Sequence, residues 1–269
     1  LADEVRYWGE WVLKQVKAEI GDLYPLIPDP AYKGNRQAIQ SEMWQSLEKG
    51  SIPVGYLVPV AYLWTRTVRC KNPSCGATVP LVKQTWLCKS KGRYVALKPI
   101  AVKGENDIRF ELIEAATEEE LGFDPAIGSK GGNAICAFCG TVSDAAYVQQ
   151  SGCQKLVGNR LMGVVAIRPN SQGKIYYSVD SLEDYFIPTE EALDNRILKL
   201  CQTADITVPN EAVSGMRPSP NARGLSAVTR HGITSFGELF NKRQMLALLS
   251  FTAALKDASK TMSSEYTNE

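Results

Sequence analysis

One histidine, His231, is all that the 269 residues contain. It sits in TRHGIT beside a glycine and reads as a loop or cap histidine. Neither a Ser-His-Asp arrangement nor a Cys-His pair can be assembled around it. No Gly-rich turn follows a hydrophobic strand, and no Walker-type motif occurs, so no phosphate-cradling loop is expected. GSKGGN at Gly128–Asn133 follows no apolar strand and opens no helix; it reads as a linker into the cysteine at 136. The longest apolar run, VGYLVPVAYLW at Val54–Trp64, is far short of the ~20 residues of a membrane helix. The opening residues, LADEVRYWGEW, are charged and lack the apolar core of a secretory leader. A cytoplasmic, reducing location without membrane association is therefore expected, and there spaced cysteines are metal ligands more often than disulfides. The sequence opens in helical pattern without an initiator Met and ends in the polar tail SSEYTNE, and so reads as a piece of a longer protein. Internal repeats and low-complexity segments are also missing.

Hydrophobic residues make up 44% and charged residues 22%, an ordinary globular balance that provides for a buried core. Seven cysteines stand out against it. Cys70-x4-Cys75 is followed by Gly76, and Cys136-x2-Cys139 by Gly140. A tight turn carrying two thiolates supplies half of a tetrahedral shell, with Zn–S near ~2.3 Å. Backbone amides in such a turn point at the sulfurs. The glycine supplies the positive φ that closes the turn. Two such turns held on hairpins make a zinc ribbon, with Cys70, Cys75, Cys136 and Cys139 as ligands of a structural Zn2+. The opposing reading is four small buried hydrophobes, a common fate of free cysteine. The long interval between the pairs calls for an inserted excursion. Cys88, Cys153 and Cys201 lack a second cysteine close by and read as unpaired thiols, with Cys88 a conceivable substitute ligand.

Acidic residues vanish between Glu48 and Glu105. Within that gap Arg66, Arg69, Lys71, Lys83, Lys89, Lys91, Arg93, Lys98 and Lys103 are interleaved with Trp64, Trp86 and Tyr94. The sign then flips, from Glu105 and Asp107 through Glu118, Glu119, Glu120 and Asp124. Cations with planar side chains beside a metal turn suit a nucleic-acid surface, and Arg66, Arg69, Lys83, Lys89, Lys91 and Arg93 are the candidate phosphate contacts. The alternative is that the acidic stretch folds back and neutralises the basic one within a single hairpin.

The periodicity predicts an amphipathic helix over Asp3–Ile20, with Val5, Trp8, Val12, Val16 and Ile20 on one face. A short helix is expected near Asn35–Leu47 and an extended run over Tyr56–Arg69. Short strands should follow to about Ile167, among them ATVPLV, RYVALKPIAV, IRFELI and LMGVVAI. A helix is predicted over Glu183–Ala204, with Thr189 a candidate N-cap. Val208–Leu225 reads as a loop. Capping boxes at Ser235-x-x-Glu238 and Asn241-x-x-Gln244 open the C-terminal helical part. The expected class is α+β: an N-terminal helical segment (1–55), a β-rich zinc-ribbon domain (56–170) and a mostly helical C-terminal segment (171–269).

WGEWVLKQVKAEIGDLYP (Trp8–Pro25), VAYLWTRTVRCKNPSCGATVPLVKQTWLCKSKGRYVALKP (Val60–Pro99), AICAFCG (Ala134–Gly140) and SFGELFNKRQMLALLSF (Ser235–Phe251) occur in that order. Together they resemble the central portion of the large adenine-specific DNA methylases that contain a zinc ribbon, bacterial and archaeal proteins often found near phage-defence genes. The resemblance implies a segment inserted in a Rossmann-like methyltransferase. S-adenosylmethionine would be bound by the flanking catalytic halves, DNA would be a partner, and no catalytic residue would lie here. It also implies that Cys70, Cys75, Cys136 and Cys139 occupy the family's zinc positions; Cys88 stands where a small polar residue is expected. Asp29-Pro30-Ala31-Tyr32 differs at one position from the Asp-Pro-Pro-Tyr type of element that holds a flipped base in such enzymes. Placed in a Pro-rich loop after a helix, with no strand to present it, it reads as a turn.

Overall fold

A computed structural model describes residues 1–34, 52–102, 104–126, 128, 131–182, 188–217, 219–220 and 224–266. It is a mixed α+β structure with antiparallel sheets and helices at both ends. The helix expected near Asn35–Leu47 lies outside the described residues. Among the described residues no helix is long and apolar enough to cross a membrane.

The chain divides into two compact units. The first joins Leu1–Leu57, Phe186–Ala212 and Ser235–Glu269, so the terminal segments that the sequence separates in order build one body. Its helices are α1 (Ala2–Ile20), α3 (Glu190–Ala204) and α4 (Lys242–Tyr266), numbered in chain order with α2 in the other unit. In α1 the buried stripe is Trp8, Val12, Val16 and Ile20. Val5, expected on the same face, is 66% exposed, because the stripe begins one turn later at Trp8. These residues pack with Leu193, Ile197 and Leu200 of α3 and Met245, Leu246, Leu249, Ala253 and Ala258 of α4. The alanines keep that face of α4 narrow, which permits close helix packing.

α3 starts at Glu190, later than the periodicity indicates: Thr189 caps it by accepting the Ala192 amide at 3.2 Å. It ends where Asp205 turns left-handed (φ 52°). There Lys256 Nζ donates to the carbonyls of Ala204 (3.0 Å) and Asp205 (2.6 Å), a cation placed on the negative end of a helix dipole. Asn241 and Gln244 form a reciprocal capping box, at 2.9 and 3.0 Å, ahead of α4. Ser235 makes no such side-chain bond; it precedes a short 3-10 turn, Phe236–Leu239. Asp29–Tyr32 is a turn: the Asp29 carboxylate accepts the Ala31 amide at 3.0 Å, and the Tyr32 amide bonds the Asp29 carbonyl at 3.1 Å. Beside it β1 (Ile27–Pro28) pairs with Tyr56 and Leu57, the first residues of strand β2 (Tyr56–Arg69).

The second unit comprises Val58–Tyr185 and Val213–Thr234, so it reaches beyond the β-rich segment read from sequence and also takes in a later stretch. β2 pairs with β3 (Thr78–Pro80) on one side and β9 (Gly158–Ile167) on the other, and β9 pairs with β10 (Lys174–Ser178), all antiparallel. The excursion between the cysteine pairs is a separate antiparallel sheet, β4 (Trp86–Ser90), β5 (Arg93–Ala101) and β6 (Ile108–Ala115). Leu97 of β5, Ile108 and Phe110 of β6 and Met162 of β9 form its core. β7 (Ala134–Ile135) and β8 (Val142–Ser143) make a short ribbon. Helix α2 (Ala145–Cys153) follows it, in a region read from sequence as strands and turns alone. Its cap is sound: the Asp144 carboxylate accepts the Tyr147 amide at 2.8 Å. Residues Gly224–His231, expected to be loop at their start, wind into a 3-10 turn.

Candidate metal centre

The first cysteine pair sits on the turn that joins β2 to β3. Val68 stands opposite Val79 and Arg69 opposite Thr78, and the Cys70 amide then bonds the Ala77 carbonyl at 2.8 Å. Inside this closure the amides of Cys75 and Gly76 both reach the Asn72 carbonyl, at 3.0 and 3.1 Å, and Gly76 takes φ 58°. The second pair sits on the turn that joins β7 to β8. The Cys136 amide bonds the Thr141 carbonyl at 3.0 Å, the Gly140 amide bonds the Cys136 carbonyl at 2.9 Å, and Gly140 takes φ 73°. The two closures follow one plan. In each, the first cysteine's amide bonds the carbonyl two residues beyond the second cysteine, and a left-handed glycine lies between. A side chain at either glycine would be strained by that φ alone.

The hairpins bring Cys70, Cys75, Cys136 and Cys139 together, with all four ligand atoms within 4.8 Å of one another. Cys70 Sγ is 3.5 Å from Cys139 Sγ, and Cys75 Sγ is 3.8 Å from Cys136 Sγ. A tetrahedral shell with Zn–S of ~2.3 Å has S···S edges of ~3.8 Å. The spacing and the all-sulfur donor set are therefore compatible with one structural zinc ion. Four mutually close sulfurs are also a poor match to four unrelated core thiols, since two of them are not buried. Val68, Ala77, Val79 and Ala134 pack around the site with Val148 of α2, and Tyr147, also on α2, donates its hydroxyl to the Arg69 carbonyl at 3.1 Å.

Each of three sulfurs receives the amide two residues ahead: Cys70 from Asn72, Cys75 from Ala77 and Cys139 from Thr141. Thr141 adds its hydroxyl, 3.2 Å from Cys139 Sγ. These donors offset thiolate charge, as a metal-bound cysteine requires. They do not weigh equally. Burial pushes the Cys70 thiol up to about 12 against its Asn72 amide, with the Cys139 and Cys136 sulfurs pushing the same way. For Cys75 the Ala77 amide draws the thiol down, but burial and the same neighbouring sulfurs carry it above its ordinary value. Cys139 moves the other way, to about 6, because the Thr141 hydroxyl and amide hold its thiolate. Beside the site the Lys71 ammonium, 2.5 Å from the Asp144 carboxylate, and the Tyr147 amide hold Asp144 below its usual range.

Cys88, Cys153 and Cys201 stand outside the cluster, and none of the seven cysteines is disulfide-bonded. His231 is exposed at the end of its 3-10 turn. The six cations singled out from sequence have different surroundings. Arg93 meets Glu114 at 2.7 Å, donates to the Lys174 carbonyl at 3.1 Å and lies 5.6 Å from the Tyr176 ring centre. Lys89 pairs with Glu118 at 2.7 Å and lies 4.9 Å over the Trp86 ring. Glu114 holds the Arg93 guanidinium above its ordinary pKa, and Glu118 does the same for the Lys89 ammonium. Arg69 donates to the Gly76 carbonyl at 3.0 Å, at the closure of the first turn. Arg66 is half-buried in β2, whereas Lys83 and Lys91 are exposed. The acidic stretch does fold back: β6 lies against β5 with Glu111 opposite Lys98 and Glu114 opposite Val95.

Sequence reasoning missed the cleft of about 620 Å³ beside the cluster. It is lined by Asn72 and Cys75 of the first turn, Phe138 and Cys139 of the second, and Glu105 and Asn106 between β5 and β6. Nothing local in the sequence marks it, because its walls come from three separate turns.

Fold and site together define an α+β protein whose β unit is organised around a four-cysteine site able to hold a metal ion. Comparison with protein-family models, curated proteins and solved structures finds no match.

Proposed function

We propose that this chain is the central zinc-ribbon segment of an S-adenosylmethionine-dependent DNA adenine methyltransferase, inserted in its Rossmann-like catalytic fold. In this reading Cys70, Cys75, Cys136 and Cys139 hold a structural Zn2+, and the cations around the β4–β5 hairpin contact DNA. The observation that carries it is the convergence of two hairpin turns on one set of four mutually close sulfurs. A closed four-thiolate shell leaves no open position for substrate, so the metal serves folding. It ties down β2, β3, β7 and β8, too short in part to hold a ribbon by burial alone. The order of sequence segments supports the methylase context, in which the flanking catalytic halves would bind S-adenosylmethionine and carry out methyl transfer. Lys91, at the tip of the β4–β5 hairpin, and Lys83 are exposed and open to phosphate.

A second reading is favoured by the ion pairs of Lys89 and Arg93. The basic hairpin would be balanced internally, and the segment would be a zinc-ribbon module that contacts protein, including its own catalytic domain, without touching DNA.

Titrating duplex DNA at two salt concentrations separates these readings. Lys89→Ala, Lys91→Ala and Arg93→Ala together should weaken binding several-fold and flatten the salt dependence by about one unit per lost phosphate contact. Glu114→Gln with Glu118→Gln should strengthen it by releasing two cations. Affinity and salt slope unchanged in both variants would remove the DNA reading. The flanking coding sequence tests the methylase context, which requires a glycine-rich cofactor loop upstream and an Asp-Pro-Pro-Tyr element downstream.

A further inference from the structure

The four sulfurs of the metal centre are not equally reachable. Cys70 and Cys136 are 4% and 1% exposed, whereas Cys75 is half-buried and Cys139 exposed. Cys75 and Cys139 line the cleft of about 620 Å³, ample for a small oxidant or electrophile. Cys139 also carries its own solvation. The Thr141 amide and hydroxyl that serve its sulfur belong to the same turn, so they stay with it whether or not it is bound to metal. Cys70 and Cys136 have no comparable exit, because leaving the metal would strand a buried sulfur. Cys70 nevertheless lies 3.5 Å from Cys139, within reach of a small rotation about either side chain.

We propose that Cys139 is an oxidant-reactive site: peroxides attack its sulfur first, and Cys70 resolves the product as a disulfide that dismantles the metal site. In the first step the Cys139 thiolate attacks the peroxide. An S–O bond forms, the O–O bond breaks, and the departing oxygen takes a proton to leave as water or an alcohol. In the second step the Cys70 thiolate attacks the Cys139 sulfenic acid. The S–S bond forms, and hydroxide leaves and is protonated to water. Two thiolates lose two electrons and the peroxide gains them. With only Cys75 and Cys136 left as ligands, the site no longer holds its metal.

This inference rests on the four-cysteine centre holding Zn2+, and metal analysis before oxidant is added tests that premise by itself. The full chain carrying Cys88→Ser, Cys153→Ser and Cys201→Ser is loaded with Zn2+ and treated with less than one equivalent of hydrogen peroxide. A chromogenic chelator follows release, and peptide mass mapping identifies the disulfide. Release should track the loss of the Cys139 thiol, and Cys70–Cys139 should be the predominant first disulfide. A first disulfide between Cys75 and Cys136, or metal loss with Cys139 intact, overturns the proposal. Limiting N-ethylmaleimide on the unsubstituted zinc-loaded chain gives an independent check. Cys139 should be labelled before Cys70, Cys75 and Cys136, and equal labelling of the four overturns the assignment. A folded chain that binds no zinc overturns the premise and the inference together.

Discussion

Cys70 Sγ and Cys139 Sγ, 69 residues apart in the chain, lie 3.5 Å from each other. Between them runs the whole β4–β5–β6 sheet, so the four-cysteine cluster closes a long loop around a folded excursion. Phe138, between Cys136 and Cys139, packs against both the core behind the cysteine cluster and the core of that sheet. Phe138 thereby couples ribbon and sheet, as does the Thr78 amide, which bonds the Asn106 carbonyl at 2.8 Å.

Loss of a buried ligand should abolish the site. Cys136→Ser replaces a sulfur only 1% exposed, leaving three ligands around a cation in an apolar setting. Metal stoichiometry should fall from one to near zero, and the β unit should lose most of its cooperative thermal transition, since structural zinc contributes on the order of 10 kcal/mol in small zinc-folded domains. Cys88→Ser, outside the cluster, should keep full stoichiometry. Atomic absorption with circular dichroism melts checks both.

Acid should strip the metal earlier when Thr141 loses its hydroxyl. The hydroxyl and amide of Thr141 hold the Cys139 thiol at about 6, below its ordinary value. Its ionised form is thus favoured by the fold above that pH, and the advantage fades as pH falls through 6. Thr141→Val removes the first of these donors and raises the thiol, so protons compete with the metal at higher pH. The midpoint of cobalt release, followed by thiolate-to-metal charge-transfer absorption, should move up by about 0.5 pH unit. An unmoved midpoint would show that the hydroxyl plays no part.

The two capping sequences should respond differently to alanine. Asn241→Ala breaks a reciprocal box ahead of α4 and should destabilise the helical unit by about 1 kcal/mol. Ser235→Ala removes no capping bond and should stay within about 0.5 kcal/mol of wild type. Urea denaturation read by helical circular dichroism distinguishes them.

Much of this molecule was legible in its sequence where the signal is local. The Tyr56–Arg69 run is strand β2 with the bounds its Val, Tyr and Thr content indicates. Thr189 and Asn241 cap as their residue types predict, whereas Ser235, with Glu238 at the spacing that separates Asn241 from Gln244, does not, because the chain there winds only a 3-10 turn. The nine residues of helix α2, which include Gly152, give weak periodicity, and what its Val148 packs against, the core beside the cysteine cluster, is set across space.

The sequence by itself determined the turn chemistry: two cysteine pairs, each closed by a glycine that must adopt positive φ, specify tight cysteine turns through bonds within a few residues. It also determined the sign change from basic to acidic. Only the tertiary structure decided what those charges do and which sulfur is open. Arg93 finds Glu114, Lys89 finds Glu118 and Cys139 faces a cleft, because strand register and the convergence of distant turns set those neighbours. Solvent access and charge pairing depend on what lies across space, and no local spacing of residues encodes that.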